Sequence, residues 1–222
     1  MTDRVPAADT DRGKAFTTPT DLGVARAAAL FEQLDPEGAV STLEPVLAAD
    51  TGSAEGWILM ARLRLALDQP EPALDAASRS IALVNTDARA YGLASRALTV
   101  LGRHEEAITM GYRAVIAEPQ NPLWHDRLAW ALLSAERQIA DAEQAARTAI
   151  GLDPNEAHYY FTHGVTLGAL GHVDQARQAL LTSLRMDPEN PVVQHHLAVL
   201  DGEVRPEPEK KKRGWKLFGR RP

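Results

Sequence analysis

The sequence predicts an all-α protein, a solenoid of about five helical hairpins closed by one further helix. Two rows of small residues carry this reading. Ala39, Ala73, Ala107, Ala142 and Ala176 recur at spacings of 34, 34, 35 and 34 residues. Ala27, Ala61, Ser95, Ala129 and Gly164 keep the same period. Small side chains permit close helix contact, so the two rows should face each other within each hairpin. A helical bundle with no repeat has no reason to hold several residue types in one register, whereas stacked identical units do. Composition agrees: 45% of the 222 residues are hydrophobic but only 5% aromatic, which favours close-packed helices over a β-sandwich.

The helices follow in order. Pairs are expected at 20–34 and 36–49, 53–68 and 70–84, 87–101 and 104–117, 121–135 and 138–151, and 156–170 and 173–186. The turns between hairpins are Glu118-Pro119-Gln120-Asn121, Asp153-Pro154-Asn155 and Asp187-Pro188-Glu189-Asn190. Proline stops one helix and Asn caps the next. All four Asn of the chain (Asn85, Asn121, Asn155, Asn190) fall at such turns. Within hairpins, Leu101-Gly102 and Leu170-Gly171 supply tight turns, since glycine adopts the left-handed conformation that a helix C-terminus needs. The first unit is the least regular, with Thr51 where later units carry Asn or Pro, and the fourth holds one extra residue between Trp130 and Ala142. Residues 191–202 match only a first helix, as a terminal cap would.

This pattern resembles the tetratricopeptide repeat, whose unit of 34 residues sets an aromatic, a Leu-small pair, an alanine and a proline. Trp57, Met60, Ala61, Ala73 and Asn85 fit one unit. Tyr91, Leu101, Gly102, Ala107, Ala114 and Pro119 fit the next, and Tyr160, Gly164, Gly171, Ala176 and Pro188 fit the fifth. The resemblance spans roughly 20–200. It implies a right-handed α-solenoid over 20–202, flanked by a disordered segment at 1–19 and a flexible tail at 203–222. It also implies a non-enzymatic adaptor whose concave face holds a partner protein's peptide or helix.

Several functions are excluded or disfavoured. Without cysteine there is no disulfide, thiolate metal site or cysteine nucleophile. The polar start of the chain has no apolar core of a signal peptide, and no stretch is long and uncharged enough to span a membrane, so a cytoplasmic protein is expected. His158 and His163 are five apart and His195 and His196 adjacent; neither spacing puts two imidazoles on one helix face, and no metal is expected. Gly164, Gly168 and Gly171 lie in and at the end of a predicted helix without a phosphate-binding lysine, so packing explains them. Glu105 and Glu106 read as a solvated face. No catalytic residue and no cofactor is expected. Scarce lysine beside abundant arginine and alanine is the usage of a high-GC bacterial genome.

Stepping the first helices by one repeat gives three rows expected to face the groove. They are Ala28, Arg62, Arg96, Trp130 and Val165; Val24, Ile58, Gly92, Asp126 and Phe161; and Asp21, Glu55, Arg89, Leu123 and His158. From these rows the candidate binding residues are Arg62, Arg89, Arg96, Asp126, Trp130, His158 and Phe161. Arginines recognise carboxylates by paired hydrogen bonds, and the aromatics could bury an apolar side chain, so the expected partner is an acidic and hydrophobic peptide. The alternative at this point is that each arginine pairs with a neighbouring acid and Trp130 packs between repeats. The body has no Lys after Lys14 and no Asn outside the turns, which disfavours the Lys/Asn carboxylate clamp of some relatives.

The net charge of −6 conceals a division. Residues 205–222 hold eight Lys or Arg against two Glu, +6, leaving −12 for the remainder. Lys210, Lys211, Lys212, Arg213, Lys216, Arg220 and Arg221 accompany Trp215, Leu217 and Phe218 after a proline-rich linker. Basic and aromatic side chains together fit a weak contact with an anionic membrane surface. A nucleic-acid contact by a regulatory protein, a docking peptide for another protein or the chain's own acidic body, and an inert solubilising end remain open beside it.

Overall fold

The computed structural model describes residues 18–202. These form eleven helices: α1 (Pro19–Glu32), α2 (Pro36–Ala49), α3 (Ala54–Ala66), α4 (Pro70–Leu83), α5 (Ala88–Val100), α6 (His104–Ala117), α7 (Pro122–Ser134), α8 (Ile139–Leu152), α9 (Ala157–Ala169), α10 (Val173–Met186) and α11 (Pro191–Leu200). The predicted pairs and the cap are all present. The tail residues Lys210 to Lys212, Arg213, Trp215, Lys216, Leu217, Phe218, Arg220 and Arg221 lie outside the described residues, as does the segment before Thr18.

The punctuation is periodic because the caps are. Thr18, Ser53, Asp87, Asn121, Glu156 and Asn190 begin the six odd-numbered helices, and each side-chain oxygen accepts from a backbone N–H of the first turn. Such caps satisfy donors that have no partner inside the helix. Asn121 and Asn190 act as predicted. Asn85 and Asn155 sit in the turn before the cap, and Asp87 and Glu156 do the capping instead.

Four of the five hairpin turns are closed by a pair of backbone bonds around one left-handed residue. In the third hairpin Gly102 N–H donates to Thr99 O (3.1 Å) and Arg103 N–H to Leu98 O (2.9 Å), with Gly102 at φ +72°. The fifth repeats this at Gly171. In the first and second hairpins Leu34 (φ 64°) and Asp68 (φ 58°) hold the same position. They end α1 and α3 two residues short of the predicted boundaries, because a left-handed residue cannot continue a right-handed helix. The extra residue of the fourth unit lies in the α7–α8 turn, where both Glu136 and Gln138 are left-handed.

Packing follows the two small-residue rows. Ala39, Ala73, Ala107, Ala142 and Ala176 are fully buried, as are Ala27, Ala61 and Ala129. The rows meet as expected: the Ser95 hydroxyl donates to Ala107 O at 2.8 Å, and a β-carbon on Gly164 would lie 3.2 Å from Ala176 O. Interiors this close lose several kcal/mol to a single misfitted methylene, roughly 1–3 by the usual range. Each helix packs on its sequence neighbours. The odd-numbered helices also touch one another along the stack (α1 on α3, α3 on α5, α5 on α7, α7 on α9), whereas no two of the even-numbered helices do. The stack is thus narrower on the odd-numbered side, which makes that side the inside of the curve. α11 closes the end against α9 and α10, with Val193 buried among Trp130, Phe161 and Leu180.

Candidate partner-binding groove

The inner wall is built by the first helix of every hairpin, held at a fixed angle by its cap at one end and its left-handed turn at the other. A side chain's place on the wall is therefore its place in the repeat. Arg62 on α3 is exposed, and its guanidinium lies over the Phe31 ring of α1, 5.4 Å from the centroid. Arg96, one repeat later on α5, is partly buried. Burial first, and then the charge of nearby Arg127, push its guanidinium down to about 10. It remains a cation at neutral pH, in a part of the wall that already holds another.

Arg89 is differently placed. Its guanidinium donates to Asp87 (Nη2–Oδ2, 2.7 Å) and, from the neighbouring repeat, to Glu55 (Nη1–Oε1, 3.0 Å; Nη2–Oε2, 2.7 Å). These partners hold it above the ordinary arginine value, and Arg89 in turn pulls Asp87 below the usual carboxylate range. The structure thus realises the acid-paired alternative at Arg89: this side chain staples α3 to α5.

Trp130, Phe161 and Asp126 are buried, at 4%, 3% and 0% exposure. They stand in the predicted rows, but their side chains turn into the seam between α7 and α9. The Trp130 indole N–H donates to Thr162 Oγ1 (3.0 Å), and the Thr162 hydroxyl donates to Asp126 Oδ1 (2.6 Å). Asp126 Oδ2 faces His158 Nε2 at 3.4 Å and Arg127 Nη1 at 4.0 Å. Burial would raise the Asp126 carboxyl. His158, Arg127 and the Thr162 hydroxyl outweigh it and hold the group below the ordinary value. Buried charge is sustained only when paired and hydrogen-bonded in this way. His158 is the partly exposed member. It stacks on Trp130 at 6.4 Å and contacts Phe161 at 5.8 Å. Phe161 also meets the edge of His196 at 5.1 Å.

Arg127, Thr162 and His196 were not among the predicted site residues. Their signal is the same repeat arithmetic shifted by one position, because Leu59, Leu93, Arg127, Thr162 and His196 form a fourth row. No group of three or more His, Asp or Glu is placed to hold a metal among the described residues. No helix among them is long and apolar enough to cross a membrane.

Comparison with known proteins adds to this geometry. A tetratricopeptide-repeat family model matches residues 157–190, the fifth hairpin and its exit turn. No curated protein sequence matches the chain. Among solved structures, a thermophilic TPR protein of Thermus thermophilus, TTC0263, superposes with a TM-score of 0.69 at 17% identity, covering 82% of this chain and 98% of its own. PilF of Pseudomonas aeruginosa gives 0.68 at 18% identity over 83% of this chain and 85% of its own. YrrB, described as a TPR protein with an unusual peptide-binding site, gives 0.60 at 16% identity over 78% and 89%. Identities this low establish the shared architecture. The chain thus has the tetratricopeptide-repeat fold, and its fifth hairpin also matches the repeat's family model in sequence.

Proposed function

We propose that this chain is an adaptor that holds a partner protein along its inner wall, taking up an extended segment or a helix. Tetratricopeptide-repeat proteins generally mediate protein–protein interactions and are typically non-enzymatic. The observation that carries the reading here is a contrast between rows. Framework positions repeat as near-uniform alanine, while the groove positions that are exposed or partly exposed, Ala28, Arg62, Arg96 and Val165, vary along the stack. Uniform rows build the stack, and varied rows on a free curved face are what recognition requires. The peptide-binding site named for the structural neighbour YrrB supports the same use of the fold.

The test is amide hydrogen exchange of the intact chain with and without a partner isolated by affinity capture. Protection is expected on α3, α5, α7 and α9. Protection confined to the even-numbered helices would overturn the groove reading. For the tail we infer a weak contact with anionic membrane, supported by its +6 charge and its interfacial aromatics. Pelleting with phosphatidylserine vesicles should fall when 205–222 are removed, and equal pelleting would dismiss it.

A further inference from the structure

We infer that the outer furrow between α8 and α10 is a second binding site, one that takes a neutral, amide-bearing segment of a partner polypeptide. It lies on the opposite side of the stack from the inner wall and goes beyond the groove reading. The furrow is a cavity of about 350 Å³. It stays open along its length because successive even-numbered helices do not touch. Glu143 and Arg147 of α8, Tyr160 and His163 of α9, and Gln175 and Gln178 of α10 line it. Three repeats earlier, between α2 and α4, the same positions line a cavity of about 300 Å³, and there the polar groups are already paired with one another. Trp57, the counterpart of Tyr160, donates to Thr51 O (2.9 Å). Arg79 donates to Asp75 (2.8 Å) and lies over the Trp57 ring, and Arg64 is held by Glu44 and Gln69.

Between α8 and α10 the pairing is incomplete. Trp57, Tyr91, His125 and Gln194 each reach the carbonyl six residues earlier. Tyr160 stands at the same position, but its hydroxyl bonds to none of the described residues. The side-chain amides of Gln175 and Gln178 make no bond among them either. Glu143 Oε1 meets His163 Nε2 at 3.0 Å and Arg147 Nη1 at 3.8 Å, while Oε2 has no partner among the described residues. The chemistry of the occupant follows from these groups. Glu143 is balanced by Arg147, so the furrow favours neither sign of charge. What it offers is a hydroxyl, two primary amides and a carboxylate oxygen, donors and acceptors side by side, and an amide is the group that presents both in return. A pocket for a small ligand encloses most of its surface, whereas an open furrow admits a continuous chain.

The test compares two tyrosines at one repeat position. The full-length chain is applied to a glycan array and to arrays of roughly 12-residue peptides in three sets, rich in Asn, Gln and Ser, in Asp and Glu, and in Lys and Arg. The Asn, Gln and Ser set is expected to bind most tightly, with little dependence on salt. Tyr160→Phe removes one hydroxyl and should weaken that binding about fivefold, as loss of one hydrogen bond does, without moving the melting temperature. Gln175→Ala/Gln178→Ala should weaken it about tenfold or more. Tyr91→Phe should do the reverse of Tyr160→Phe, lowering the melting temperature by about 2–4 °C and leaving binding unchanged. No enrichment of the amide set, selection of a charged set, or a preference that survives both furrow variants overturns the proposal. Glycan binding lost with Tyr160→Phe overturns it by making the furrow a sugar site. A melting temperature that falls in Tyr160→Phe as far as in Tyr91→Phe overturns it too, since the hydroxyl would then serve the fold. The inner-wall reading is decided separately, by exchange protection on α3, α5 and α7, and stands or falls without the furrow.

Discussion

Leu34 holds a left-handed backbone position, φ 64°, that its counterparts Gly102 and Gly171 occupy without strain. That conformation costs an L-residue roughly 1–2 kcal/mol because Cβ crowds the backbone carbonyl. Glycine gives back part of the gain through the freedom of its unfolded chain. Leu34 is 70% exposed, so its side chain contributes little packing to lose. Leu34→Gly should therefore stabilise the protein by about 0.5–1 kcal/mol, a rise in melting temperature of about 1–4 °C for a chain of this size, read by thermal unfolding. An unchanged or lower melting temperature would show that Leu34 makes a contact worth more than its strain. Other residue-scale devices recur in register as well. The side-chain tips of Trp57, Tyr91 and Gln194 donate to the backbone carbonyls of Thr51, Asn85 and Pro188, each six residues earlier, and His125 Nε2 approaches Pro119 O in the same way. Chemically different side chains thus latch the same inter-hairpin turn.

At the scale of helices, the fold was legible in the sequence because every element reports its boundaries in local chemistry. The alanine rows set the period, and the prolines, caps and glycine turns set the ends. The helix ends missed at Leu34 and Asp68 lacked that chemistry, since neither residue announces a left-handed turn as glycine does. The candidate site was legible by register but not by direction. Repeat arithmetic placed Arg62, Arg96, Trp130 and Phe161 on the inner helices. Whether each faces solvent depends on what the adjoining helix offers. Trp130 finds a hydroxyl on α9, supplied by Thr162, and so turns inward; Arg62 finds only the face of Phe31 and stays at the surface. Arg89 was misleading for the same reason, because its partner Glu55 is a full repeat away. The seam between α7 and α9 is a network of polar side chains, and such a network is a property of two helices together.

At the scale of the whole molecule, stability in a stack is close to a sum of hairpins and their junctions, so a weakened junction frays one end while the rest persists. The junction of the fourth and fifth hairpins depends on Asp126 being ionised, and its folded value lies below the ordinary one. A depressed carboxyl stabilises the fold fully above its unfolded value, about 3.9, and that contribution is lost as pH falls through this value towards the folded one. His196, on the cap α11, acts in the same direction but in a higher window. Burial first, and the neighbouring His195 second, lower its value, so its contribution is complete above about 6.5 and declines below that. Acid should therefore loosen the molecule from its C-terminal end in two stages, first α11 and then α9 with α10, before α1 to α6 respond. Hydrogen exchange measured from pH 7 to pH 3.5, corrected for the intrinsic rate, reads the order directly. Asp126→Asn should cost about 3 kcal/mol at neutral pH, as removal of one partner from a buried charged pair does. It should also abolish the second stage, since no carboxylate is left there to protonate. Uniform loss of protection along the chain, or an unaltered second stage in Asp126→Asn, would show that the acid response comes from the exposed acidic surface instead of this junction.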